Sequence, residues 1–278
     1  MENLPIVDFH THYDVSQVMQ NKPWTHPIQA FLGRPASMLG PSDTNYGFDH
    51  YVAQLMMDQG VREELVYGKI DLESPTPEQD RQFDDERFEA MIGALAKAPG
   101  SEVTLWTKIA LERVFQVTLP LTLENATAIR EAVQLQIEKP EFRPQEILEA
   151  GNVHYALTTD DPTSDLSHHG QPTKGPRLLP TWRPDAVLIM EVQGELGRYN
   201  FVQWIEKLGK TTNREIASLD QLENALEDRL NYFVENGCIA SDIGIPNFVA
   251  EPCTRQEAAE IFGRYMKCKN YTAEEHKS

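Results

Sequence analysis

Short apolar runs that end in polar residues recur along this chain. Runs at 4–9, 153–159, 177–182 and 238–242 have the length of buried strands and are too short for typical helices. A His, Asp or Arg residue directly follows the first three runs, and the fourth run itself ends in Asp242. The pattern predicts four strands whose C-terminal ends carry chemically capable side chains.

Between the first two strands the apolar positions repeat at helical spacing. Thr76, followed by a proline and by Gln79, predicts a capped helix start. Further capping boxes at Ser218 and Thr254 predict two later helices, which extend to Gly237 and to about residue 266. The other predicted helices cover 49–57, 104–115 and 123–138, and the apolar face of the helix after Thr76 consists of Phe88, Met91, Ile92 and Leu95.

This order of elements indicates an α/β fold with parallel strands. We expect three parts: 1–13 as the first strand, 14–150 as a mostly helical insertion, and 151–278 as further βα units. In α/β barrels the active site lies at the C-terminal ends of the strands, which is where the polar residues of this chain fall.

Composition and charge exclude several function classes. The chain has 278 residues, is 40% hydrophobic and carries a formal net charge of -18. Nucleic-acid binders need a basic surface, so neither a nucleic acid nor an acidic membrane is an expected partner. Three cysteines without CxxC spacing, and no visible signal peptide or membrane span, predict a reducing, cytoplasmic setting.

His10 and His12 form the sharpest local feature. Residues i and i+2 of a strand project to the same face, so two imidazoles at this spacing can bind one divalent cation. Ordinary polar residues on a strand are the alternative, although Asp8 and Asp14 nearby favour the metal.

Other strand ends offer carboxylates and a guanidinium. Asp160 and Asp161 suit acid–base work or the orientation of a ligand histidine, with a turn before Pro162 as the alternative. Arg183 suits bidentate capture of a carboxylate, or else an ion pair with Asp185. On pattern alone His50 and Tyr51 are a surface pair, Trp106, Met56 and Phe115 are core residues, and His168 and His169 are a loop feature.

Six segments resemble, in order, motifs of the uronate isomerases of the amidohydrolase superfamily. The segments are PIVDFHTH at 5–12, DHY at 49–51, LWT at 105–107 with LE at 111–112, TTDDP at 158–162 with Leu166 and His169, LPTWRPD at 179–185, and GC at 237–238 with SD at 241–242.

The resemblance implies an enzyme that interconverts glucuronate with fructuronate and galacturonate with tagaturonate through an enediol. It implies His10 and His12 as ligands of a divalent metal, which is usually zinc in this family, His50 in ring opening and Tyr51 in proton transfer. Arg183 with Trp182, Asp160 and Asp161 would contact the hexuronic acid substrate. The implied fold is a TIM (β/α)8 barrel of the metal-dependent hydrolase type with a helical insertion after the first strand.

The chain departs from the family at several positions. Gln54 and Met57 stand where the family has arginines, and Ile243 stands where it has histidine. With 14–150 as an insertion, the remainder is little more than half of the ~250 residues of an eight-unit barrel. We therefore expect a partial barrel without the later strands or their metal-binding aspartate, although Thr272 and Glu275 predict one more helix start.

Three hypotheses about the function follow from these observations. A hexuronate isomerase, acting as a homo-oligomer or with a complementing C-terminal chain, is the leading one. A non-catalytic uronate isomerase-like fragment that serves as a binding or interaction module is the second. A metal-dependent amidohydrolase is the third, because HxH on a first strand occurs across the superfamily.

Overall fold

The structure is a computed structural model that describes residues 4–34, 48–68, 76–188, 201–244 and 252–267. These residues form an α/β fold, which confirms the predicted class. The strands are β1 (Ile6–Thr11), β2 (Val153–Asp160) and β3 (Arg177–Trp182), and they lie in one sheet in the order β1-β2-β3.

Most of the helices precede β2. Two short 3-10 helices at Leu123–Asn125 and Pro140–Phe142 flank the seventh α-helix. The α-helices are α1 (Val15–Gln20), α2 (Ile28–Phe31), α3 (His50–Asp58), α4 (Glu63–Tyr67), α5 (Pro77–Lys97), α6 (Glu102–Arg113), α7 (Ala126–Ile137), α8 (Pro144–Ala150), α9 (Asp185–Leu188), α10 (Phe201–Thr212), α11 (Leu219–Glu235) and α12 (Arg255–Lys267).

The chain divides into two compact units. The first consists of 1–7, 12–154 and 172–176, and contains α1 to α8; the second consists of 8–11, 155–171 and 177–278, and contains β3 and α9 to α12. We call them the helical unit and the sheet unit.

The helical unit is built around α5. Thr76 and Gln79 cap its start reciprocally, as predicted, which satisfies two backbone N–H groups that a helix start leaves open. All four residues of the predicted apolar face are fully buried and pack with residues of α2, α3, α6 and α7. The 3.6-residue spacing therefore identified the central helix of this core correctly.

The sheet unit contains two strands whose ends lie side by side. β2 and β3 are parallel, and their register pairs Tyr155 with Arg177 and Asp160 with Trp182. The fourth predicted strand, at 238–242, is reduced to one isolated parallel bridge between Trp182 and Ser241. Only two backbone bonds connect this segment to Trp182, too few to extend the ladder into a regular strand.

The first strand differs from its prediction in both bounds and burial. It begins at Ile6 instead of residue 4 and includes His10 within the strand. Its apolar side chains are exposed, with 57% of Val7 and 79% of Phe9 accessible. Because β1 is an edge strand of the described sheet, the apolar run that predicted burial has no described strand on its outer side.

A second core lies among α9 to α12 of the sheet unit. Phe201, Trp204 and Leu208 of α10 pack with Leu222 and Phe262. The predicted capping box of Ser218 and Gln221 opens α11, and Gly237 follows its end with a φ of 91°. Leu222, Ala225 and Phe233 form the buried face of α11, whereas Leu230 is 40% exposed.

Two sequence predictions, at Cys268 and at Thr272 with Glu275, lie outside the described residues. No helix in the described part of the chain is long and apolar enough to span a membrane.

Candidate functional site

Three separate sequence motifs meet in the helical unit. The ring of His12 lies 6.2 Å from that of His50 in an edge-on arrangement. The ring of His50 lies 4.1 Å from that of Tyr51, and the ring of Tyr51 lies 6.0 Å from Trp106 of α6. We call His12, His50, Tyr51 and Trp106 the aromatic cluster; all four side chains are exposed.

The start of α3 positions the middle of this cluster. Asp49 is the N-cap, and its carboxylate accepts hydrogen bonds of 2.9 Å from the backbone N–H groups of Tyr51 and Val52. Val52, Ala53 and Met56 are buried beneath. The buried face anchors the helix and the cap fixes its first turn, so His50 and Tyr51 are presented to solvent from a rigid helix end.

Trp106 corrects the sequence analysis. Its helical spacing predicted a core residue, but half of it (50%) is exposed, whereas Met56 and Phe115 are buried as predicted. α6 buries Thr104, Thr107 and Leu111 instead, which turns Trp106 to the opposite side of the helix. Helical periodicity alone does not identify which face is buried when apolar residues occur on both.

Arg183 in the sheet unit lies between two carboxylates. Its Nε donates to Oδ2 of Asp185 at 2.7 Å, and its Nη1 donates to Oδ2 of Asp242 at 3.0 Å. The same oxygen of Asp242 lies 3.1 Å from Nδ1 of His10. The alternative reading of Arg183, an ion pair with Asp185, is therefore present in the structure. We call these four residues the charged cluster.

The carboxylates at the end of β2 have different partners. Oδ2 of Asp160 accepts from the Thr158 hydroxyl at 2.6 Å and lies 3.5 Å from Nε2 of His169. The carboxylate of Asp161 accepts from the indole N–H of Trp204 at 2.9 Å and from Thr163. Asp161 thus fixes the turn after β2 to α10, while Asp160 belongs to a hydrogen-bonded group with Thr158 and His169.

His169 was predicted only as a loop residue, but its side chain is buried and hydrogen-bonded. Its side chain is only 4% exposed, and Nε2 lies 2.8 Å from the hydroxyl of Thr158. Its buried Nδ1 has no hydrogen-bond partner among the described residues. Two adjacent histidines in a loop do not predict that one of them is buried next to Thr158. The family motif, in which His169 follows 158–162 at a fixed spacing, does connect the two segments.

The ring of Trp182, expected to contact substrate, packs edge-on against Phe233 of α11 with ring centroids 5.1 Å apart. Its backbone N–H and C=O bond Ala240 and Asp242. In this structure Trp182 anchors the 238–242 segment to the end of β3.

The family departures have local consequences. Gln54 is neutral, so it does not replace the cationic charge of an arginine. Its amide donates to Asp58 at 2.8 Å within the same helix. Ile243 is 52% exposed immediately after Asp242.

The described residues do not make up a complete metal centre. Among them, no group of three or more His, Cys, Asp or Glu side chains could hold a metal ion. Catalytic zinc sites normally have three protein ligands. His10 and His12 can therefore supply two donors at most, and no third protein ligand is described.

The comparisons with known proteins cover the whole chain. The family model described as glucuronate isomerase matches residues 1–278. The uronate isomerase of Halalkalibacterium halodurans is 29% identical over 99% of this chain and 52% of its own length. That of Thermotoga maritima is 31% identical over 87% of this chain and 47% of its own length. The chain thus spans about half the length of the curated relatives it matches.

Two solved structures show a similar fold. The crystal structure of uronate isomerase from Thermotoga maritima aligns with a TM-score of 0.77 at 27% identity, over 99% of this chain and 54% of that one. The glucuronate isomerase from Caulobacter crescentus aligns with a TM-score of 0.75 at 23% identity, a likeness of fold only. With a family match over all of its residues and motifs in family order, the chain belongs to the glucuronate isomerase family.

Proposed function

We propose that this chain supplies part of the active site of a uronate isomerase that interconverts aldo- and keto-hexuronates. The substrates would be glucuronate and galacturonate, and the products fructuronate and tagaturonate. The observation that carries this proposal is the meeting of His12, His50, Tyr51 and Trp106 in one exposed cluster, within a chain that matches the family throughout.

The aromatic cluster suits the proton movements of this reaction. An aldose becomes a ketose when the proton on C2 is removed, the resulting cis-enediol is reprotonated at C1, and the hydroxyl proton of O2 is transferred to O1. His50 would assist ring opening by moving a proton between the ring oxygen and the O1 hydroxyl. Tyr51 would move the proton between C2 and C1. Both side chains are exposed, so a sugar can reach them.

The strand ends of the sheet unit would bind the substrate. Arg183 would donate to the uronate carboxylate while it keeps its bonds to the carboxylates of Asp185 and Asp242. Asp160 and Asp161 would accept hydrogen bonds from sugar hydroxyls, and Trp182 would border the sugar with its apolar ring.

The proposal includes a divalent metal, zinc, for which His10 and His12 would be two of the ligands. Such a cation would stabilise the negative charge that develops on the enediolate oxygens. Since the described residues lack a third protein ligand, the steps above use only side chains of this chain.

The fold of the complete enzyme would be a (β/α)8 barrel, of which this chain forms a part. Residues 1–13 would be its first strand, 14–150 the helical insertion, and 151–278 the next βα units. The exposed apolar side chains of β1 and of Ile239 and Ile243 support this proposal, because additional strands would cover them. Those strands would come from a continuation of the chain, a complementing chain or a second copy.

The test incubates the purified chain with glucuronate and zinc in D2O, alone and together with a polypeptide corresponding to the unmatched half of the relatives. We expect fructuronate that carries deuterium at C1 when both polypeptides are present. Tyr51→Phe should lower the rate by about 10²–10⁴-fold, the usual contribution of a proton-transfer group. Tyr67→Phe, which removes a hydroxyl elsewhere in the helical unit, is the matched control.

Absence of conversion in every mixture would contradict the proposal, and product release from an amide or ester would favour a hydrolase.

A non-catalytic binding module is the second candidate. Gln54, Ile243 and the lack of a third metal ligand among the described residues favour it. This candidate predicts saturable glucuronate binding by calorimetry with no conversion in the same mixtures.

A further inference from the structure

We propose that Asp242 is a positioning residue that orients His10 and Arg183 through one carboxylate oxygen. The inference rests on the proposed function, in which those two residues contact the ligands. Oδ2 of Asp242 lies 3.1 Å from Nδ1 of His10 and 3.0 Å from Nη1 of Arg183. The sequence shows Asp242 only as the end of a motif, and neither pattern nor spacing connects it with a histidine that lies 232 positions earlier.

The contact with His10 selects one form of the imidazole. An ionised carboxylate only accepts hydrogen bonds, so the Asp242 oxygen 3.1 Å away favours the form of His10 that carries its proton on Nδ1. In the neutral ring the lone pair is then on Nε2. An imidazole that donates one N–H to a carboxylate is fixed in tautomer and in orientation. Asp242 therefore determines which nitrogen of His10 acts as an acceptor.

Asp242 and Asp185 hold Arg183 from two sides. Asp185 accepts from Nε of Arg183, and its second oxygen accepts from the backbone N–H of Gly244 at 3.0 Å. A Cβ at Gly244 would lie 2.5 Å from Nη2 of Arg183, so a larger residue at this position would displace the guanidinium. Asp185 thus orients Arg183 through Nε, whereas Asp242 also contacts His10.

This difference provides a matched pair of variants. Asp242→Ala removes the oxygen shared by His10 and Arg183, whereas Asp185→Asn alters the contacts with Arg183 and the Gly244 N–H and leaves His10 untouched. The backbone N–H of Asp242 bonds Trp182 at 3.0 Å independently of the side chain, which keeps the segment attached in the alanine variant. Asp242→Asn retains one acceptor oxygen in a side chain of the same shape.

The experiment measures the tautomer of His10 by ¹⁵N NMR of the histidine-labelled chain at about two units above the ordinary histidine pKa. A His10→Asn variant assigns the signal. We expect the Nδ1–H form in the unmodified chain, in Asp185→Asn and in Asp242→Asn, and a shift toward the Nε2–H form in Asp242→Ala. An Nε2–H form in the unmodified chain overturns the proposal, and so does an unchanged tautomer in Asp242→Ala. The measurement on the unmodified chain remains decisive even if Asp242→Ala fails to fold.

Kinetics of the mixture that converts glucuronate give a second readout. We expect KM to rise about tenfold in both Asp185→Asn and Asp242→Ala, because both lose a partner of Arg183, and kcat to fall further in Asp242→Ala alone. Equal kcat values in the two variants would contradict a role for Asp242 through His10. If no mixture is active, the proposed function fails while the tautomer measurement still decides the inference.

Discussion

The helical unit and the sheet unit each contain a cluster of arginine and aspartate side chains, but in different surroundings. In the helical unit the side chain of Arg87 is 1% exposed; it bonds Asp84 at 2.9 Å and the backbone carbonyls of Gly33 and Leu65. In the sheet unit the side chains of Arg183 and Asp242 are 26% and 27% exposed.

The difference separates a structural cluster from a candidate functional one. Arg87 donates to Gly33 after α2, to Leu65 of α4 and to Asp84 of α5, so a buried charge connects three segments of the helical unit and is shielded from solvent. Burial lowers the pKa of its guanidinium, which the nearby Asp84 counteracts. Arg183 keeps contact with solvent and touches a histidine through Asp242, which leaves room for a ligand to bind. Exposure and neighbouring chemistry, more than residue type, distinguish the two.

The largest effect is expected from Arg87→Met. The substitution removes the buried donor of the Gly33 and Leu65 carbonyls and leaves Asp84 with Arg34 as its remaining cationic partner, so the free energy of unfolding should fall by about 3–5 kcal/mol. Urea denaturation measures it. Arg255→Ala, which removes an exposed pair with Asp220 and Glu223, is the control and should leave the urea midpoint unchanged. Similar losses of unfolding free energy in Arg87→Met and Arg255→Ala would show that burial does not determine how much such an arginine stabilises the chain.

A smaller effect is expected from His26 of the helical unit, which is buried. Its Nδ1 accepts the backbone N–H of Ile28 at 3.1 Å, and its Nε2 lies 2.9 Å from Asp85. The variant His26→Leu loses both contacts and should cost about 1–3 kcal/mol at pH 7.5.

Stability of the unmodified chain should also depend on pH through His26. Burial lowers the pKa of His26, although Asp85 counteracts part of the effect. The unfolded chain therefore binds more protons between the lowered native pKa and the ordinary value of about 6.5, so stability should fall as pH decreases through this window. Urea midpoints between pH 7.5 and 5.5 test this. The slope should persist in the exposed-site variant His154→Gln and decrease in His26→Leu.

The smallest effect is expected from the two capping boxes, one in each unit. Thr76→Ala and Ser218→Ala each remove one helix cap and should each cost about 1 kcal/mol. Urea denaturation followed by circular dichroism compares them. A single transition shifted equally by both variants indicates that the two units unfold together; two transitions, each moved by one variant only, would contradict cooperative unfolding.

Much of the fold was predictable because its signals are local. The caps at Thr76 and Ser218 and the buried face of α5 depend on residues within a few positions of one another. The segment at 238–242 was misjudged, because an apolar run becomes a strand only if a partner continues the ladder. The sequence analysis missed six helices, α1, α2, α4, α8, α9 and α10. All but α10 have seven residues or fewer, too short for an apolar repeat to stand out.

The candidate site was predictable in its membership and not in its contacts. The resemblance to the family selected His10, His12, His50, Tyr51 and Arg183, and the structure places His12, His50 and Tyr51 together. Neither spacing nor periodicity predicts that Trp106 joins them from α6, or that Asp161 bonds Trp204. Such contacts join residues more than forty positions apart, beyond the reach of spacing arguments.

By itself the sequence determined the α/β class, the central helices and the family, because repeating apolar positions, caps and motifs are properties of short segments. Only the tertiary structure decided which side chains share a site and which charges are buried. One oxygen of Asp242 meets both His10 and Arg183 because strand ends that are distant in the chain lie next to one another in the sheet unit. That proximity depends on how the elements pack, which no single segment encodes.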